Sequence, residues 1–232
     1  MPNFVKNKII IRSKEMVDKL LNEYCTVEDN IRYFDFNKII EMPKDLEIEF
    51  SSRSLDGLKL AITALENKNE IMMQLFTTSN YEFYEEIKNY INVKDYLLTS
   101  DQVEEMLNSY KDLSEVISLG AKQISNLYKY KAANWYFWCI ENWGTKWNSS
   151  NLEYSNNTIK FETAWEPCIP VIIRLSELNP DMKLAYLYSD EEEGVDCGYM
   201  MMQNGHIDMK GKFDNFSIDA IKMHNDMWNK NE

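Results

Sequence analysis

Five carboxylates fall close together in Asp190, Glu191, Glu192, Glu193 and Asp196. Such a run could chelate a cation or present negative charge to a basic partner. A calcium loop needs alternating oxygen ligands with a glycine at its sixth position, and this spacing does not match. Docking by charge complementarity is the functional reading that remains; a solvated turn is the bland one. Asp181, Glu166, Glu162 and Glu153 are further candidates for paired acid–base work, but nothing in their spacing selects a pair. His206 follows a tight turn and His224 falls on a helical pattern, and neither has a visible nucleophile partner. No serine lies in a GxSxG context, and there is no glycine-rich phosphate loop. Cys25, Cys139, Cys168 and Cys197 include no CxxC pair, so neither a zinc site nor an iron–sulfur cluster is expected. Buried, reduced thiols are expected instead.

Aromatic chemistry is concentrated in Asn134–Asn148, NWYFWCIENWGTKWN, which holds Trp135, Trp138, Trp143 and Trp147. Exposed, these indoles would form a stacking platform for bases. Buried, they would be the core where a helix end docks on a sheet, and the acidic neighbour Glu141 favours that reading because it offers no phosphate clamp. Trp135, Trp138 and Asn142 share one helical face, and Gly144 stands where a left-handed cap would end the helix.

The whole chain sets limits on all of these sites. Its 232 residues suffice for one large or two small domains. With 44% hydrophobic and 27% charged residues it reads as an ordinary globular protein. No apolar run approaches the ~20 residues of a membrane span, and Met1-Pro2-Asn3-Phe4 does not start a secretory leader, so a cytoplasmic location is expected. The formal charge of −13 repels nucleic acid unless the basic residues are segregated, and it suits a basic partner.

The elements that must position these residues follow in chain order. Phe4–Ile11 reads as a strand, and Ser13 caps a helix running to about Glu23. Ile31–Phe36 reads as a second strand of the same sheet. From Ser54 to about Asn142 the pattern is helical, with stripes such as Leu55, Leu58, Ala61, Ile62 and Leu65, then Phe83, Ile87, Tyr90 and Ile91. Asn157–Trp165 returns to strand character, Val171–Leu178 to helix, and Met182–Tyr188 to strand. Val195–Gln203 and His206–Lys212 form a hairpin about Asn204-Gly205, and Ser217 caps a last helix. The order predicts an α+β, ferredoxin-like (split βαβ) antiparallel sheet packed by helices on one face. It carries a large helical insertion and ends in a hairpin plus helix. The expected division is 1–53 for the first half of the ferredoxin-like domain, 54–131 for the insertion, and 132–232 for the second half with the tryptophan motif.

Asn134–Asn148 resembles the NWY-x-WC-x-x-NWGTKW signature of a family borne by phages and plasmids, the YubB-type ferredoxin-like proteins of unknown function. Asp35–Ile40 with Met42-Pro43, Phe161–Trp165 with Pro167, Leu175-Ser176 and Asp190–Gly194 add to the likeness, which does not extend over Ser54–Lys131. The resemblance implies a ferredoxin-like fold and a mobile-element origin. It implies no activity, cofactor or catalytic residue.

The expected function is therefore a non-enzymatic, phage-type protein without cofactor or metal. It would bind and inhibit a host defence nuclease, such as a CRISPR effector, through its acidic surface. Asp190, Glu191, Glu192, Glu193, Asp196, Trp143 and Trp147 are its expected partner-binding residues. The alternative is a module for RNA or single-stranded nucleic acid, with Tyr33, Phe161, Tyr186 and Tyr188 stacking bases on the sheet face. A magnesium-dependent hydrolase built from clustered carboxylates comes third.

Overall fold

A computed structural model describes residues 3–69 and 81–228. The part of the helical reading that falls on residues 70–80, and the side chain of Phe83, lie outside the described residues. The chain divides into two compact units, Met1–Glu41 with Cys139–Glu232, and Met42–Trp138.

In the first unit β1 (Phe4–Ile11) leads to α1 (Lys14–Tyr24), whose N-cap Ser13 accepts a hydrogen bond from the Met16 N–H. β2 (Cys25–Glu28) and β3 (Ile31–Phe34) follow, and later β4 (Ser150–Tyr154) and β5 (Thr158–Ala164). A helix over Ile169–Leu178, then β6 (Lys183–Asp190), β7 (Gly198–Gln203), β8 (His206–Lys212) and a helix over Ile218–Trp228 complete the unit. Six strands form one antiparallel sheet in the order β4-β5-β1-β6-β7-β8. β1 is antiparallel to both β5 and β6, so those two run parallel, joined by the helix Ile169–Leu178 with β1 between them. That is the split βαβ of a ferredoxin-like domain.

Two features depart from the sequence expectation. The strand at Ile31–Phe34 leaves the main sheet and pairs with Cys25–Glu28 in a separate ribbon. Its turn, Asp29-Asn30, holds φ at +50° and +65°, the left-handed pair that closes a two-residue hairpin. The C-terminal helix also departs, because it lies on the opposite face from its fellow helices. Cys168, at the start of Ile169–Leu178, meets Asn7 and Tyr186, and Lys19 of α1 donates to Asn179 just past that helix, so these two helices share one face. From Ile218–Trp228, His224 meets Ser189 and the Trp228 ring meets the Lys6 ammonium, on side chains of the other face. Both faces of β1 are therefore covered, which explains how its polar Lys6 and Asn7 are both buried.

Asn7 is fully buried and fully engaged. Its amide donates to Val5 O and Thr163 Oγ1, each at 2.9 Å, and its Oδ1 accepts from the Tyr186 hydroxyl. Beside it Phe34, Phe36, Phe161 and Trp143 form an aromatic cluster, with Phe34 stacked on Phe161 at 5.5 Å and Phe36 edge-on to Trp143 at 5.7 Å.

The second unit contains α2 (Ser52–Glu66), α3 (Tyr81–Ile87), α4 (Ser100–Ser109) and α5 (Ser114–Tyr130). Helix α6 (Trp135–Trp143) begins in it and contains the division between the units. Leu58, Ala61, Ile62 and Leu65 of the expected stripe are buried with Val116, Ile124 and Leu127. Gly57 allows α2 and α5 to touch, since a Cβ there would lie 3.0 Å from the Gly120 nitrogen and closer still to Val116 O. Gln123 donates to Ser54 O at 2.6 Å across the same contact.

Tyr186→Phe removes the hydroxyl donor to Asn7 and leaves a buried acceptor short of a partner. The expected cost is about 1–3 kcal/mol, read as a lower denaturant midpoint with an unchanged slope; an unchanged midpoint would show that the hydroxyl contributes nothing.

Candidate functional site

The aromatic motif is a buckle, and most of its residues are used inside the molecule. The indole N–H of buried Trp143 donates to Ile40 O at 2.9 Å. Gly144, at φ +77°, ends the helix in the left-handed conformation that the sequence predicts. Buried Thr145 donates through Oγ1 to Ala164 O. Asn148 accepts from Phe36 N and donates to Asp35 Oδ1, and Ser149 exchanges hydrogen bonds with both backbone groups of Phe34. Trp138 is buried and Trp135 half-buried. Trp147 alone among the four points substantially outward, at 42% exposure.

Its partner there is Trp165, a residue the sequence places at the end of a strand and that sequence reasoning missed as a surface group. Trp165 is 44% exposed and sits just past β5 at φ +70°, a costly backbone conformation for a tryptophan. The two indoles lie with centroids 6.4 Å apart and planes 27° apart. The Lys146 ammonium is 4.5 Å from the Trp147 ring centroid and 4.9 Å from that of Trp165, within cation–π reach of both.

The acidic turn stands at the same end of the sheet. Phe4 of β1 pairs with Ala164, and its neighbour Val5 pairs with Asp190. One residue further on, Trp165 N–H donates to Asn3 O and Glu191 N–H to Phe4 O. The turn is ordered by its own contacts. Buried Asp190 accepts from Glu192 N–H, Glu191 Oε2 accepts from Phe4 N–H, and Asn225 reaches Glu193. Glu191, Glu192, Glu193 and Asp196 are exposed, and Lys212 Nζ approaches Asp196 Oδ1 to 2.6 Å. That bond, helped by the field of Glu166, holds the Lys212 ammonium above its usual pKa.

Of the expected partner-binding residues, Glu191, Glu192, Glu193, Asp196 and Trp147 are thus on the surface at one end of the sheet. Trp143 and Asp190 are buried, because the indole is a core brace and the carboxylate is the anchor of the turn. The proposed base-stacking residues are also corrected. Phe161 and Tyr186 are fully buried, Tyr188 is 8% exposed, and Tyr33 stands on the small ribbon, because helices cover the sheet face that an RNA-recognition surface would leave open.

Among the carboxylates considered for paired chemistry, the structure brings Glu153 and Glu162 together, but on a cation. Lys6 Nζ is 2.8 Å from Glu162 and 3.3 Å from Glu153, and Asn151 donates to the other oxygen of Glu162. Asp181 and Glu166 stand at opposite ends of the sheet, before β6 and after β5. His206 is exposed, and His224 is buried with its Nδ1 near Ser189 Oγ and Asp190 O. All four cysteines are buried, and none forms a disulfide. Burial pushes the thiols of Cys139 and Cys168 up to about 12, and raises those of Cys25 and Cys197.

Residues 142–231 match the family model described as the ferredoxin-like domain in Api92-like protein. The match contains the buckle from Asn142 onward, Trp165 and the acidic turn. The crystal structure of protein api92 from Yersinia pseudotuberculosis is similar at 12% identity, covering 92% of this chain and 99% of that one, with a TM-score of 0.38. No curated protein matches the chain. Among the described residues no helix is long and apolar enough to cross a membrane.

Raised thiol pKa values mean little thiolate at mildly alkaline pH. Ellman's reagent should then leave the folded protein nearly untouched and titrate four thiols in concentrated guanidinium. Rapid reaction of a folded-state thiol would contradict the buried placement.

Proposed function

We propose that this protein is a non-enzymatic, cytoplasmic inhibitor of mobile-element origin that docks its sheet end onto a basic surface of a host defence nuclease, an RNA-guided effector being the natural class. One observation carries the reading: exposed indoles and an ordered acidic turn occupy the same end of one sheet. Tryptophans are over-represented among the residues that anchor protein interfaces, and charged rims set partner choice and association rate. Nucleases hold guide or substrate in positively charged channels, so an acidic docking surface meets its complement there. Carboxylates of Glu191, Glu192 and Glu193 would compete with phosphates for that channel. The formal charge of −13 adds long-range attraction.

The residues suited to other chemistry support this reading. The thiols are held protonated by burial, and Glu153 and Glu162 are both engaged by Lys6. The sheet face that would present aromatics to bases is covered.

The test is inhibition of cleavage by purified RNA-guided nucleases, measured with binding affinity across a salt series. Inhibition should weaken as salt rises, because exposed charges are screened beyond a Debye length of ~8 Å near physiological ionic strength. Replacing Glu191, Glu192 and Glu193 together by Gln should lower affinity by about tenfold to hundredfold, at ~0.5–1 kcal/mol for each charge. Binding that ignores both salt and this triple variant would overturn the docking mode, and lack of inhibition across the nuclease panel would overturn the target class.

A further inference from the structure

The exposed indole pair has features that a mere gap in the surface does not explain. Trp165 holds φ +70°, a sparsely populated conformation that a non-glycine residue keeps only where its surroundings enforce it. Those surroundings are in place. Its N–H is bonded to Asn3 O, the preceding Ala164 carbonyl accepts from Thr145, and Thr145 leads through Lys146 to Trp147. The backbone beside both indoles is thus fixed by buried or strand-end hydrogen bonds, while 42% of Trp147 and 44% of Trp165 remain open to solvent. The backbone that carries the rings is set before any ligand arrives, so that part of the ordering is not left for binding to impose. A cation already lies over them, since Lys146 Nζ is within 4.9 Å of both centroids. Carboxylates flank the place: Glu166 follows Trp165 in the chain, and Glu191 is bonded to the other side of the Phe4 backbone.

We propose that Trp147 and Trp165 form a recognition site for an arginine side chain of the partner, and that Lys146 is an internal placeholder that the arginine displaces. Cationic groups bind over indole faces, tryptophan being the strongest aromatic partner. Guanidinium suits the site better than ammonium because it is flat, weakly hydrated and stacks on aromatic faces. The proposal rests on the reading of a basic protein partner and names what that partner inserts. It also gives Lys146 a role, since an internal cation over the indoles raises the threshold for weakly basic surfaces.

The test uses the full chain labelled with ¹⁵N and its indole N–H resonances, with those of Trp147 and Trp165 assigned through Trp147→Phe and Trp165→Phe. The probe is a capped tri-arginine peptide, with the uncharged, nearly isosteric tri-citrulline peptide as its control. The arginine peptide should move the Trp147 and Trp165 resonances saturably and leave the other indoles in place, and the citrulline peptide should not. Lys146→Met should tighten the arginine peptide by about two- to fivefold by removing the internal competitor, an effect that a purely structural lysine would not give. Trp165→Ala should abolish the response. If the arginine peptide moves the Glu191–Glu193 amides but neither indole, the arginine site is refuted while acidic docking stands. If it moves nothing, both are refuted. An equal response to citrulline, or a stronger one to oligothymidylate, would reassign the indoles to neutral stacking.

Discussion

Asn7 sits fully buried in a central strand, where an amide without partners would cost several kcal/mol, and the sheet unit is arranged so that it has them. Its donors engage β1 itself and Thr163 on one neighbouring strand, while its acceptor takes the hydroxyl of Tyr186 from the other. Strands β5 and β6 are thereby tied to β1 by side chains as well as by ladders, and the register on both sides is fixed at one position. The split βαβ depends on this, because its parallel strands touch only through β1. Cys168 closes the remaining side of the amide, and its complete burial there is what raises the thiol pKa.

Much of this was legible in the chain, and the exceptions have physical reasons. Strand β1, helix α1 with its Ser13 cap, the Asn204-Gly205 hairpin and the Gly144 helix end all follow from local periodicity and turn chemistry, which short segments encode directly. Strand β4 was missed because SNLEY carries little β-branched character and pairs through a bulge at the sheet edge. The small ribbon was misplaced because Ile31–Phe34 is strand-like in itself, and periodicity cannot tell a strand which neighbour to choose. The covered second face of the sheet was invisible for the same reason: Lys6 and Lys8 look like solvent residues until a helix with Trp228 lies over them.

The candidate site was half legible. A dense tryptophan motif announces itself, but composition does not reveal which rings serve the core. Trp143, Thr145, Asn148 and Ser149 are spent on fastening Ile40, Ala164, Asp35, Phe36 and Phe34. Trp147 is left over by this fastening, and Trp165 joins it only through strand pairing. The acidic turn shows the same logic, since Asp190 is sacrificed to hold the loop and its neighbours are presented by it.

The outermost strand β8 bears on how the molecule behaves in company. An open six-stranded sheet offers its last strand's backbone to any other chain with a free edge. Here that strand is almost wholly solvated and carries Asp208, Lys210 and Lys212, two of them in ion pairs with Lys183 and Asp196. Charged side chains along a rim impose a desolvation penalty on any strand that tries to add itself. The sheet is thereby terminated by charge as well as by the end of its hydrogen-bond ladder, and crowding at high expression would not favour its growth into ribbons.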